Sequence, residues 1–154
     1  MTTKEIVVGI DSSPSGHAAL EWAARQARLT DSPLRAIHVL DWPIGISATG
    51  GPIASEFVYV DNENLQSAER NEASELFRSI DPLPDWSIQF ERGQSGHVLV
   101  RESQHADLLV VGTREHVGVE RILVGSTSHY CLSHASCPIV AVPPPRRHRS
   151  ADPH

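Results

Sequence analysis

Five short apolar runs, each separated from the next by a stretch with helical patterning, constrain this chain more than any other feature in it. They are Ile6 to Ile10, Leu34 to Leu40, the alternating segment Trp86, Ile88 and Phe90, Leu108 to Val111, and Pro138 to Val142. Strands that alternate with helices at this spacing predict a parallel sheet wrapped on both faces. In the third run the apolar residues alternate with Ser87, Gln89 and Glu91, the period-two pattern of a half-exposed strand.

The intervening segments carry helix signals. Ser13 can cap and Pro14 suits the first helical position, ahead of an alanine-rich stretch that runs to about Thr30 and is broken at Asp31, Ser32 and Pro33. Residues 43 to 62 hold Pro43, Gly45, Gly50, Gly51 and Pro52 with little periodicity, and a long loop is expected there. From Glu63 to Ile80, the positions Leu65, Ala68, Leu76, Phe77 and Ile80 predict an amphipathic, strongly polar helix. Residues 93 to 95 turn into a short helix carrying Val98, Leu99 and Val100, and a last helix runs from Ser126 to about His134. The domain is expected over residues 1–143, followed by a basic, proline-containing tail over 144–154.

Composition narrows the function classes. The 154 residues suffice for one domain with a real core. Thirteen Lys plus Arg against nineteen Asp plus Glu leave a net charge of −6, which argues against broad nucleic-acid or anionic-membrane binding. The apolar runs are far too short for a membrane span, and no signal peptide is visible at the start, so a cytoplasmic protein is expected. Cys131 and Cys137 fit neither a redox pair nor zinc-ligand spacing; reduced, packed thiols are expected.

Asp11, Asp41 and Gly112 all stand at strand C-termini, where parallel sheets place small-molecule clefts. Gly112 leaves the fourth strand, and Gly125 with Ser126 opens a helix, an arrangement that presents backbone N–H groups to a phosphate. This spacing resembles the G-x-x-G-x9-G-[ST] nucleotide loop of the universal stress protein family. The segments Val8 to Pro14, Ala19 to Ala24, Ile37 to Val39, Asp107 to Gly112 and Cys137 to Val142 look like the family's own, particularly its actinobacterial members. The resemblance covers Ile6 to about Pro143. It implies a flavodoxin/Rossmann-like three-layer sandwich with a five-stranded parallel sheet, binding ATP, with accompanying Mg2+ left open. It further implies a homodimer that regulates in the stress response and turns over no substrate. By position, Gly9, Ile10 and Asp11 would flank adenine and ribose, and Val39 would meet the base through its backbone. Val111, Gly112, Arg114, Gly125, Ser126 and Thr127 complete the implied set. The residue-level alternative for Asp11 is a turn or helix cap.

One position departs from the pattern. Glu115 stands where the second motif glycine is expected. Glycine there permits positive φ and close backbone approach, whereas a carboxylate at about 5 Å from a phosphate, at an effective dielectric near 20, costs on the order of 3 kcal/mol. Arg114, His116 and Arg121 place positive charge in the same loop. A scaffold of the same fold that acts by protein contacts alone is therefore the second reading, and a slow ATP hydrolase the third. Ser126, Ser128, His129 and Asp11 hold the ingredients of a nucleophile and base, but no G-x-S-x-G elbow surrounds either serine. The histidines at 97, 105, 116, 129 and 134 match no H-x3-H or H-E-x-x-H spacing. The fifth strand is the expected dimer seam, because an open apolar edge is an aggregation hazard.

Overall fold

The computed structural model describes residues 4–40, 55–115, 122–123 and 125–146, with backbone alone for 55–62, 115, 122 and 123. Strand β1 (Ile6–Ile10) is buried at every position but Gly9, as a strand covered on both faces must be. Ile6, Val8 and Ile10 join one apolar cluster, and Val7 joins a second on the other face. β1 pairs in parallel with β2 (Leu34–Leu40) on one side and β4 (Leu108–Gly112) on the other. β3 (Ser87–Arg92) extends the sheet beyond β2, and β7 (Ile139–Val142) extends it beyond β4. The order is β3-β2-β1-β4-β7, all parallel. The connection direction reverses between β1 and β4, which is where such sheets hold ligands.

Helix α1 (Pro14–Thr30) begins as its sequence predicts. Ser13 is the N-cap, its side chain accepting from the Gly16 N–H, and Pro14 follows. The core-facing side is small, with Ala19, Ala23 and Ala27 fully buried beside Leu20, so the helix lies close over the sheet. It ends at Asp31 in the left-handed region, φ 51°, where the local hydrogen bonding of a short polar side chain makes Asp tolerable.

Two expectations are corrected by the second half of the chain's α1 side. Helix α2 spans Ser55–Ser79, so residues 55–62 are helical where a loop was expected. Residues 43–54 of that expected loop lie outside the described residues. Ala73, Leu76 and Phe77 of α2, and Ile80 just beyond its end, pack on the core, but Leu65 is 60% exposed and Ala68 is exposed too. The core stripe, continued toward the N-terminus at helical spacing, falls on Glu69 and Gln66. The middle of the helix therefore turns polar residues toward the sheet's C-terminal edge, and its first turns follow directly on the Gly- and Pro-rich stretch Pro43 to Pro52, which reads as loop.

On the opposite face, α3 (Ser95–Glu102) and α4 (Ser126–His134) pack on Val7, Ile37, Leu109 and Val111. At the other end of the strands, Arg35 ties the elements together. It reaches Glu5 at 3.1 Å, Glu102 at 2.9 Å and Gln89 at 3.0 Å.

The loop after β4 holds a further difference. Arg114–Glu115 (β5) and Ile122–Leu123 (β6) form a short antiparallel ladder, Glu115 opposite Ile122. The backbone at 115 is extended, which any residue adopts, so glycine's positive φ is not required there. His116 and Arg121 lie outside the described residues. Among the described residues no helix is long and apolar enough to cross a membrane.

Cys131 is fully buried in the second cluster and Cys137 half-buried, both free. Burial first, and the neighbouring Cys137 second, push the Cys131 thiol from 9.0 to about 11. Iodoacetamide at pH 8 is expected to alkylate Cys137 and spare Cys131 until denaturant is added, as read by mass spectrometry. Since the unfolded chain releases this proton first, stability should fall as pH rises from about 9 to about 11. Equal labelling of both thiols in the folded protein would contradict this packing.

Candidate nucleotide cleft

The C-terminal ends of β1 and β4 open onto a cleft of about 520 Å³. β1 delivers Asp11, which starts a chain of local bonds. Its Oδ1 accepts from the backbone N–H of Ser13 at 3.0 Å and from the Ser13 hydroxyl. Ser13 Oγ in turn accepts from Gly16 N at 3.0 Å and lies 3.1 Å from Ser15 Oγ. Asp11 is thus a turn and cap-supporting residue, with one carboxylate oxygen committed to that work and its side chain still on the cleft wall. The two readings of Asp11 are compatible.

β4 delivers Gly112, and its lack of a side chain has a specific cause. A Cβ there would stand 2.8 Å from the backbone carbon and oxygen of Ser15. Gly112 lets the first turn of α1 close onto the end of β4. Gly9 plays a similar part on the opposite face, where a Cβ would meet Leu99 Cδ1 at 2.6 Å.

The far wall comes from two helix starts. Gln94 is the N-cap of α3 and Gly125 that of α4, and neither end has a side-chain capping bond. Their first N–H groups are the unsatisfied donors of a helix terminus, and both starts line the cleft. The Arg114 side chain packs alongside: a Cβ on Gly125 would lie 3.3 Å from Arg114 Cγ. Hydroxyls of Ser13, Ser15, Ser126, Thr127 and Ser128 belong to the same wall set. Uncapped helix starts, a guanidinium and hydroxyl groups together suit an anionic, phosphate-bearing ligand.

Every residue in the expected set lines this one cleft: Gly9, Ile10, Asp11, Val39, Val111, Gly112, Arg114, Gly125, Ser126 and Thr127. Sequence reading missed Ser15, Gly16, Gln94, Ser95, Gly96, His97, Leu99 and Tyr130, which line it too. The Gly93 turn, at φ 138°, was a usable signal, because it brings the start of α3 to the end of β3. His97 stacks on Tyr130 at 4.2 Å between ring centroids, and Tyr130 stacks on His134 at 4.1 Å. Gly96 permits this contact; a Cβ there would meet Tyr130 Cβ at 2.9 Å.

The nucleophile-and-base ingredients do not assemble. Ser128 Oγ donates to the Gly125 carbonyl at 3.1 Å and is buried, while His129 is exposed and off the cleft. Among the described residues no group of three His, Cys, Asp or Glu is arranged to hold a metal ion.

The sequence profile described as "Universal stress protein family" matches residues 2–143. The chain belongs to the universal stress protein family. Among curated relatives, a universal stress protein of Mycolicibacterium smegmatis is 34% identical over 139 residues, which is 89% of this chain and 47% of that protein. The chain thus spans about half the length of that relative. Among solved structures, the universal stress protein UspA from Lactobacillus plantarum superposes with a TM-score of 0.70 at 24% identity, covering 92% of this chain and 99% of that one. The universal stress protein from Archaeoglobus fulgidus, solved in complex with dAMP, gives a TM-score of 0.60 at 19% identity, covering 92% and 99%. These likenesses agree with the flavodoxin-like architecture of this universal stress protein.

Proposed function

We propose that this universal stress protein domain binds ATP in the cleft and acts in the cytoplasm as a regulatory domain, through dimerisation or partner contacts. The observation that carries the reading is the convergence of two uncapped helix starts with Arg114 at the topological switch point. A volume of about 520 Å³ lies within the range of small-molecule and cofactor sites. The dAMP complex of the Archaeoglobus fulgidus protein, which has the same fold, supports the adenine class. In this reading Asp11 accepts from ribose hydroxyls, and Val39 lies by the base. Gly112, Gly125, Ser126, Thr127 and Arg114 attend the phosphates. If Mg2+ accompanies ATP, it neutralises phosphate charge.

Isothermal titration with ATP, with and without magnesium at physiological salt, is the direct test. A dissociation constant on the order of micromolar is expected. Glu115 favours the second reading, a scaffold working by protein contacts alone, which predicts binding only after Glu115→Gly. ATP binding by the unaltered chain sinks the scaffold; heat that appears only in the variant sinks the nucleotide reading.

The homodimer is proposed through β7. Among the described residues this strand pairs with β4 alone and lies at one side of the sheet, with Ile139, Val140 and Val142 half-buried. Ile139→Lys should convert dimers to monomers on light scattering, since an edge lysine blocks strand or apolar pairing. A dimer that survives the substitution places the seam elsewhere.

A further inference from the structure

A second cavity, of about 230 Å³, opens among α1, α2 and the end of β2. It shares Asp11 and Val39 with the nucleotide cleft and is otherwise separate. Its ionisable walls are Asp11, His17 on α1, His38 on β2, and Glu69 and Glu72 on α2. Among the described residues no lysine or arginine lines it.

His38 shows what the cavity lacks. It is only 8% exposed, and its Nδ1 lies 3.2 Å from the Ile10 carbonyl oxygen. A carbonyl only accepts, so Nδ1 carries the hydrogen, and Nε2 of the neutral ring is left as a lone pair. That Nε2 is buried and has no hydrogen-bond partner among the described residues. Glu69 Oε2 stands 3.9 Å away, another acceptor and beyond hydrogen-bond reach. Two acceptors face each other across a gap, and a buried acceptor left unmatched is costly. Protonating the ring supplies one donor toward Glu69 and nothing for Glu72 and Asp11, whose carboxylates face water.

The missing component is therefore a cation with several donors. A bare metal ion does not suit the spacing, because no three of these groups come together around one point. Val39, Ala73 and Leu76 add an apolar wall, which favours a ligand with methylenes between its charges. We propose that this cavity binds a short aliphatic diamine. Its ammonium groups donate to His38 Nε2 and to the carboxylates of Glu69, Glu72 and Asp11, while its chain lies on the apolar wall. At about 30 Å³ per water, the cavity takes a molecule the size of 1,4-diaminobutane with room to spare.

The test uses the full chain without nucleotide, so its outcome is independent of the ATP reading. 1,4-Diaminobutane is titrated at constant pH and ionic strength, by calorimetry and by NMR of the His38 ring. Expected are saturable one-to-one binding, a shifted His38 resonance, and no effect from 1,4-butanediol. Glu69→Gln and Glu72→Gln should each weaken binding about tenfold, as loss of a charge-assisted contact does. Both glutamates reach solvent on α2, so both variants keep the fold. The proposal is overturned by absent binding at millimolar diamine, or by binding unchanged in both variants. Equally, it falls if zinc chloride shifts the His38 resonance to saturation and the diamine leaves it in place.

Discussion

Replacing Gly112 by valine is expected to abolish measurable nucleotide binding and to lower the melting temperature by roughly 2–12 °C. A β-carbon at 112 meets the backbone carbon and oxygen of Ser15 at 2.8 Å. Backbone cannot swing aside as a side-chain tip can, so the first turn of α1 must lift from the end of β4. Overpacking of this kind costs about 1–3 kcal/mol, and a domain of this size loses about 2–4 °C per kcal/mol. Binding suffers more than stability, because the displaced turn contains Ser13 and Ser15 and is braced by Asp11. Gly125→Ala is the contrasting control. There the β-carbon meets Arg114 Cγ at 3.3 Å, and a flexible, exposed side chain yields a few tenths of an ångström. Calorimetry and thermal unfolding of the pair measure both effects. If the two variants behave alike, the close approach of α1 to β4 does not organise the cleft.

Arg114→Glu is expected to weaken ATP binding by about two to three orders of magnitude while leaving the melting temperature within about a degree. The substitution removes a charge-assisted contact worth about 1.5–3 kcal/mol. It also sets a carboxylate against the phosphates, at about 3 kcal/mol for 5 Å and a dielectric near 20. Arg114 is exposed, so solvent and salt screen part of this sum. The same exposure is why folding is indifferent to the change. AMP offers less phosphate to repel and should lose less affinity than ATP, and raising the salt should narrow the gap between variant and parent. Equal losses for both nucleotides would place Arg114 at the base or ribose instead of the phosphates.

The sheet and most of its helices were legible because burial on both faces writes near-continuous apolar runs for β1, β2 and β4. The start of α1 was legible because Ser13 and Pro14 are local signals that act without tertiary help. The start of α2 was not. It follows directly on Pro43, Gly45, Gly50, Gly51 and Pro52, so residues up to 62 read as a continuation of a loop, and the residues that reach the core, Ala73 and Phe77, lie near its far end. The β5–β6 ladder was hidden for another reason: two-residue strands leave no period to read. In the cleft, the glycine spacing and Asp11 announced one wall. The α3 wall was silent because what it presents to the cleft is a helix start, and Gln94, Ser95 and Gly96 carry no side-chain signature of one that lines a site. The reason for Gly112 was likewise invisible, since the Ser15 backbone approaches it from almost a hundred positions earlier in the chain.

The strand order has a consequence for how this molecule comes into being. β1 is made first but sits in the middle, and one of its flanks waits for Leu108 to find Ile6. During synthesis β1, β2 and β3 can assemble under α1 and α2 while the other side of β1 stays bare. Pairings this distant along the chain are slow to form and leave an open edge meanwhile. The cleft is divided along the same line, with Asp11 and Val39 in the early half and Gly112 and Gly125 in the late half. A nucleotide bound as proposed would meet both walls of the cleft only after α4 has docked, so its binding would follow the pairing of β4 with β1 and never guide the first half of the sheet.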